Sequence, residues 1–173
     1  MPVRYLKLYP YTYYHIFNRA FEKQTIFYDH SDYDRFYKTI LRYWKDGFPK
    51  IDLVSYCFLP NHFHLILISK SDDEKYISNF MRKIQQSYAQ YAKAKYSSWK
   101  GQFFEWRFKA KPIQDDKYLQ QCFVYVNFNA IKHWLVEDIK DWKYTSYHML
   151  DEAEKNQYLS LSKEIWVLDD LEF

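Results

Sequence analysis

Four short runs of the chain are rich in aromatic and β-branched residues, the composition that β-strands favour. The runs predicted as strands are residues 11–18, 51–58, 62–69 and 106–113. Only Leu59, Pro60 and Asn61 separate the second run from the third. A link this short predicts that these two strands pair antiparallel.

Apolar residues at helical spacing predict three helices between and after these strands. Ser31 with Asp34, and Ser71 with Glu74, resemble capping boxes at the starts of the first two. The third is predicted to begin at Asp115. The order β-α-β-β-α-β-α contains the ferredoxin-like split βαβ arrangement. We therefore expect an α+β fold: a four-stranded antiparallel sheet with helices on one face and an added C-terminal helix.

Composition narrows the class of protein. Two glycines in 173 residues exclude glycine-rich phosphate loops, and two cysteines are too few for a disulfide framework. The sequence contains no long apolar stretch and no secretory signal pattern, so we expect a cytoplasmic protein without a membrane partner. Residues 1–150 are predicted to form one domain, and residues 151–173, with seven acids and two lysines, an acidic tail.

Positive charge is concentrated in one block. Residues 81–111 contain eight cations and one acid, interleaved with aromatic residues. Cations can follow a phosphate backbone while rings stack on unpaired bases, so the block is a candidate single-stranded DNA surface. The alternative is a solvated helix face whose aromatic residues belong to the core. The residues predicted to contact DNA are Arg82, Lys83, Arg107, Lys109 and Lys111.

Two histidines stand one residue apart in the segment FLPNHFHLIL. Strand residues alternate between faces, so His62 and His64 are predicted to point the same way, about 7 Å apart along the strand. Two neutral imidazoles so placed can hold one metal ion with a third ligand from elsewhere. The alternative is a pair of ordinary sheet residues, and the pair alone does not identify a reaction.

Several ordered segments resemble a known family. They are YHIFNRA, PNHFH, FMRKIQQSYAQY, RFKAK, YVNFNAIKHWLV and WKYTSY, spread over about residues 11–149. Together they resemble the HUH-motif single-tyrosine transposases of insertion sequences, and in particular the REP-associated tyrosine transposases. The resemblance implies a ferredoxin-like fold. It also implies metal-dependent nicking and joining of single-stranded or hairpin DNA through a 5′-phosphotyrosine link.

The resemblance also implies roles for individual residues. Tyr125 matches the nucleophile, and Asn129 matches the residue that completes the metal site of His62 and His64 for Mg²⁺ or Mn²⁺. On one continuous helix, Tyr125 and Asn129 would share a face, since they are four residues apart. Two nearby positions depart from the family pattern, which has histidine and proline where this chain has Asn127 and Ala130.

Two other functions stay open at this point. One is a domesticated module that binds single-stranded nucleic acid without cleaving it. The other is a phosphoesterase that uses activated water, although this chain lacks the second His-x-Thr or His-x-Ser motif of the two-histidine phosphoesterases. The oligomeric state also stays open, because relatives include homodimers that exchange the tyrosine between subunits.

Overall fold

The computed structural model describes residues 7–97, 99, 101–105 and 107–165, with side chains described as far as residue 162. None of the helices in these ranges is long and apolar enough to cross a membrane. The strands and helices in chain order are β1 (Tyr13–Arg19), α1 (His30–Gly47), β2 (Ile51–Leu59), β3 (His62–Ser69), α2 (Tyr76–Lys95), β4 (Lys109–Ile113), α3 (Asp116–Asn127), α4 (Asn129–Lys132) and α5 (Glu152–Ile165).

The four strands form one antiparallel sheet in the order β2-β3-β1-β4, which confirms the predicted ferredoxin-like arrangement. In the register of β1, Phe17 lies opposite His64 on β3 and Lys109 on β4. Two residues further along β1, Arg19 lies opposite His62. The sheet therefore places the two histidines beside the end of β1.

Alternation along the strands separates two apolar layers. Ile16, Phe63 and Leu65 face α1 and α2 and form the larger core cluster. Cys57 and Ile66 face the other way and pack against α3. The pair α1 and α2 thus covers one face, and the added helix α3 covers part of the opposite face, on which the histidines also lie.

Helix α5 packs on the outer side of α3. The Tyr158 ring stacks on Phe123 at 4.4 Å between centroids, and Leu159 packs against the neighbouring cluster that contains Val124. Residues 152–165 of the segment predicted as an acidic tail therefore form a helix docked on the domain. The boundary at residue 150 stays a prediction.

The predicted cap of α1 was wrong by two residues. Asp29, not Ser31, is the N-cap, and its carboxylate accepts hydrogen bonds from the backbone N–H groups of Ser31 and Asp32. The Asp32 carboxylate also accepts hydrogen bonds from Tyr96 and from Lys95 on α2. These long-range contacts select the register of the helix start, which local sequence cannot do.

The predicted starts of two other elements also differ from those in the structure. Helix α2 begins at Tyr76 with no side-chain cap, while Ser71 accepts a hydrogen bond from Asp73 N–H in the preceding turn. Strand β4 begins at Lys109 instead of residue 106. Trp106 from that prediction, and Lys100 of the basic block, lie outside the described residues.

Candidate active site

An open cleft of about 470 Å³ lies where β1 ends and β3 begins. It brings together residues that the sequence places far apart: His62, His64, Lys109 and Tyr125 all line it. Two histidines, the predicted nucleophile and one predicted DNA-binding lysine therefore share a single space.

The turn before β3 is held by the segment that follows β1. The Pro60 carbonyl accepts hydrogen bonds from Ile26 N–H at 2.7 Å and from Phe27 N–H at 3.1 Å. The Asn61 carbonyl accepts one from Ala20 N–H at 2.8 Å. Because its backbone is tied at both residues, the turn positions His62 at the rim of the cleft.

Both ring nitrogens of His62 have an amide oxygen as neighbour. Its Nδ1 lies 2.6 Å from Asn61 Oδ1, and its Nε2 lies 3.4 Å from Asn129 Oδ1. Burial, with a smaller contribution from His133, lowers the pKa of His62 to about 4. The ring is therefore neutral near pH 7 and keeps one nitrogen lone pair.

His64 is buried and contacts a third histidine that the local sequence pattern did not reveal. Its Nδ1 lies 2.9 Å from Nε2 of His15, whose side chain is completely buried on β1. Burial holds the pKa of His64 well below its usual value, and burial with nearby Lys111 lowers the pKa of His15 to about 3. Strand alternation alone puts His15 on the face of Phe17, but only the β1–β3 pairing brings it to His64.

Tyr125 projects from α3 toward the histidines. Its ring centroid lies 5.6 Å from that of His64 and 5.8 Å from that of His15, edge-on in both cases. The Lys132 Nζ lies 5.1 Å from the Tyr125 ring centroid. The candidate nucleophile thus sits between buried neutral imidazoles and a cation.

Asn129 reaches the site by a different route from the one expected. Helix α3 ends at Asn127, and Asn129 begins the separate short helix α4, so Tyr125 and Asn129 do not share one continuous helix. The Asn129 side chain is nevertheless fully buried and directed at His62. Its Nδ2 is buried without a hydrogen-bond partner among the described residues.

Asn127, one of the two departures from the family pattern, lies away from the cleft. Its Nδ2 donates to Ser55 Oγ and to the Phe123 carbonyl, and its Oδ1 accepts from Thr145 and Ser146 at 2.8 Å each. The residue joins α3 to β2 and to the turn at 145–149. Asparagine at this position is therefore accounted for by a buried hydrogen-bond network.

Ala130, the other departure, is also buried, and its backbone N–H interacts with the Cys57 sulfur. A proline has no N–H and could not make this contact. Neither departure removes a group from the cleft.

The predicted DNA-binding residues divide into two sets. Lys109 lines the cleft, and Lys111 lies opposite His15 on the same strand face. Arg107 is exposed just before β4. Arg82 and Lys83 are exposed on α2, which packs on the other face of the sheet, so the structure does not bring them to the cleft.

Three cations of the cleft were missed because they fall outside the basic block. Lys23 and Lys132 line it, and Arg19 lies at its rim in an ion pair with Glu105. Only the position of Arg19 offered a signal in the sequence, because it ends β1, and β1 pairs with the strand that begins at His62. Summing charge along the chain does not reveal which cations meet in space.

The fold and the site define a class: ferredoxin-like proteins with two histidines and a helix tyrosine facing one cationic cleft. A family model described as transposase IS200-like matches residues 9–129, well over half of the chain. The chain belongs to this IS200-like transposase family, as the resemblance of its motifs predicted.

Individual relatives agree with this assignment. A Haemophilus influenzae protein named as a REP-associated tyrosine transposase is 28% identical over 131 residues, covering 72% of this chain and 74% of the relative. A solved structure of a REP-associated tyrosine transposase bound to a REP hairpin superposes with a TM-score of 0.68 at 18% identity. The superposition covers 86% of this chain and 84% of that one and shows the same fold.

Proposed function

We propose that this transposase nicks and joins single-stranded or hairpin DNA through a covalent 5′-phosphotyrosine link on Tyr125. The observation that carries the proposal is the cleft itself, in which Tyr125, His62 and His64 face a common space lined by Lys109 and Lys132. A phosphate entering this space meets a nucleophile, two neutral imidazoles and two cations.

The donors at the cleft fit a divalent metal ion. A carbonyl oxygen only accepts hydrogen bonds, so the contact with Asn61 Oδ1 places the His62 proton on Nδ1. The Nε2 lone pair then faces the Asn129 Oδ1 lone pairs at 3.4 Å. Both atoms would then be available as ligands for a cation, which would remove this repulsion. Rotating the Asn129 amide also relieves it, and either orientation keeps the side chain directed at His62.

The ligand set we propose is His62, His64 and Asn129. Asn129 is assigned as the third protein ligand because its Oδ1 lies 3.4 Å from His62 Nε2. Among the described residues, no group of three or more His, Cys, Asp or Glu side chains is arranged to hold a metal ion. Mg²⁺ or Mn²⁺, when bound there, would polarise the scissile phosphate and offset its developing negative charge. Imidazole donors favour Mn²⁺ of the two.

His15 is proposed to set the tautomer of His64. For Nε2 of His64 to serve as a ligand, its proton has to lie on Nδ1 and be donated to Nε2 of His15. His15 suits the acceptor role because its low pKa keeps it neutral. Ligating histidines are commonly oriented through their second nitrogen in this way.

In the proposed reaction the Tyr125 oxygen attacks phosphorus and the bond from phosphorus to the 3′ oxygen breaks. The 3′ oxygen leaves with a proton as a hydroxyl, and the phosphate stays on Tyr125 as a 5′-phosphotyrosine. A second 3′-hydroxyl can then attack and release the tyrosine, so the phosphodiester is conserved. Lys132, whose Nζ lies 5.1 Å from the Tyr125 ring centroid, would offset negative charge that develops in the transition state.

Covalent trapping tests this proposal. Wild-type protein with Mn²⁺ and single-stranded DNA from the flanks of its own gene should yield an adduct stable in denaturant, with the phosphate mapped to Tyr125. Tyr125→Phe should yield none, while Tyr118→Phe, a half-buried tyrosine of the same helix, should yield the wild-type amount.

Each other outcome identifies a different error. An adduct on another tyrosine would show that the assignment of the nucleophile is wrong. Nicking by Tyr125→Phe at the wild-type rate would favour attack by water. A wild-type protein that binds DNA without forming an adduct would be a binding module.

A further inference from the structure

Trp134 is the most exposed large apolar side chain in the described part of the chain. Its relative exposure is 93%, against 64% for Tyr11 and 63% for Met149. An indole this exposed contributes almost no buried area to the fold. Packing within the described part of the chain therefore does not account for a tryptophan at this position.

The backbone at Trp134 makes the choice of residue more unusual. Helix α4 ends in a Schellman motif, in which Trp134 N–H donates to the Ile131 carbonyl at 2.9 Å and Leu135 N–H to the Ala130 carbonyl at 3.0 Å. The residue in the middle of this motif adopts the left-handed conformation, and Trp134 has a φ of 56°. Glycine or asparagine usually occupies this position, because a bulky side chain is strained there.

Trp134 directly follows residues of the candidate active site. His133 lines the cleft, and its ring centroid lies 5.0 Å from that of His62. Lys132 lies against Tyr125. Since neighbouring Cα atoms are about 3.8 Å apart, the Trp134 backbone lies one residue from the lining of the cleft, and the indole itself is exposed and outside that lining.

We propose that Trp134 is a stacking platform for an unpaired DNA base next to the phosphate in the cleft. The inference rests on the proposed function, since it requires single-stranded DNA at this site. Cations at Arg19, Lys23, Lys109 and Lys132 favour a polyanion over an apolar protein segment. Every base offers a flat face to an exposed aromatic ring, so stacking needs no particular sequence.

The test compares Trp134→Gly with a matched control in the full chain. Tyr11→Gly is suitable, because Tyr11 is also an exposed aromatic residue with a φ of 56° and lies outside the cleft lining. Both variants should raise the midpoint of thermal unfolding slightly, because both remove a bulky side chain from a residue whose backbone is in the left-handed conformation. Only Trp134→Gly should weaken binding to a labelled mixed-sequence single-stranded oligonucleotide, by about tenfold. Trp134→Phe should recover most of the affinity.

An abasic oligonucleotide of the same length separates stacking from phosphate contacts. Wild type and Trp134→Gly should bind the abasic strand equally, because no base is present to stack. Equal losses on both strands, or no loss on either, would overturn the proposal. A change in oligomeric state without a change in DNA affinity would also overturn it, in favour of contact with a second copy of the chain.

The test is independent of the chemistry proposed for Tyr125. Base-dependent loss of affinity in a protein that forms no adduct would leave the stacking role intact and reject the phosphotyrosine. Adduct formation without a base-dependent loss of affinity would support the phosphotyrosine and reject the stacking role of Trp134.

Discussion

Replacing Asn127 by alanine should destabilise the fold and leave the chemistry of the cleft intact. Asn127 is fully buried and its side chain makes four hydrogen bonds, to Ser55, the Phe123 carbonyl, Thr145 and Ser146. At about 1 kcal/mol of net stability for each bond, alanine would lose about 4 kcal/mol. The true cost is smaller because some partners keep alternatives.

The structure identifies those alternatives. In the alanine variant, Thr145 Oγ1 can still donate a hydrogen bond to the main-chain carbonyl of residue 127, which lies at 3.3 Å. Ser146 Oγ keeps its hydrogen bond with Ser55 Oγ at 2.9 Å. We therefore expect a loss of about 3 kcal/mol in the free energy of unfolding. For a chain of this size, that lowers the midpoint of thermal unfolding by about 6–12 °C.

Denaturant titration followed by circular dichroism measures the loss, with Asn156→Ala on the exposed surface of α5 as the control. The control should change stability by less than about 0.5 kcal/mol. Well below the unfolding midpoint, Mn²⁺ affinity and adduct yield of Asn127→Ala should match the wild type. A loss below about 1 kcal/mol, or weaker Mn²⁺ binding with unchanged stability, would refute the reasoning and give Asn127 a role in the cleft.

Four further outcomes are expected. Because the folded pKa of His62 is about 4, the unfolded chain binds more protons below pH 6.5, so His62 should contribute about 3 kcal/mol to the fall in the free energy of unfolding as pH drops from 6.5 to 4. His15 and His64, whose pKa values are also lowered, should add to that fall, and His62→Gln should fall by about 3 kcal/mol less than the wild type, as measured by denaturation at each pH. His64→Ala should abolish adduct formation but leave DNA binding within a few-fold in a filter-binding assay, since phosphate contacts supply most affinity. His15→Leu should weaken Mn²⁺ binding by about tenfold in calorimetry, and His15→Gln, which keeps an acceptor, by less; equal affinities would remove His15 from the metal site. Lys109→Ala should reduce the slope of log affinity against log salt by about 0.7 on single strands, whereas Lys83→Ala should leave the slope unchanged.

Local patterns in the sequence predicted what depends on local geometry. Alternation along β3 put His62 and His64 on one face, and the short link after Leu59 predicted the β2–β3 pairing, which the structure confirms. The contact of His15 with His64 could not be predicted in this way, because it depends on which strand pairs with β3 and in which register. The two histidines in contact are 49 positions apart in the chain.

The end of α3 illustrates a second limit. No glycine or proline marks the break at Phe128, so Tyr125 and Asn129 were expected to lie on one continuous helix. At the break, the Asn127 side chain is held by Ser55 and Ser146, long-range contacts that local periodicity does not reveal. The prediction that Asn129 accompanies the histidines is consistent with its contact with His62, but by a different backbone path.

The residues of the proposed site differ in their exposure to solvent, and this difference matches their proposed roles. His64 is buried and His62 half-buried, and this burial lowers the pKa of both rings, so both stay neutral near pH 7 and keep a lone pair for the proposed metal ion. Lys109 is solvent-exposed, where a charge acts on a phosphate at long range but is screened by salt. Salt should therefore weaken DNA binding much more than Mn²⁺ binding to the DNA-free protein. In the proposed reaction, a DNA phosphate beside Tyr125 would meet the neutral imidazoles of His62 and His64 and the cations Lys109 and Lys132 within this one cleft.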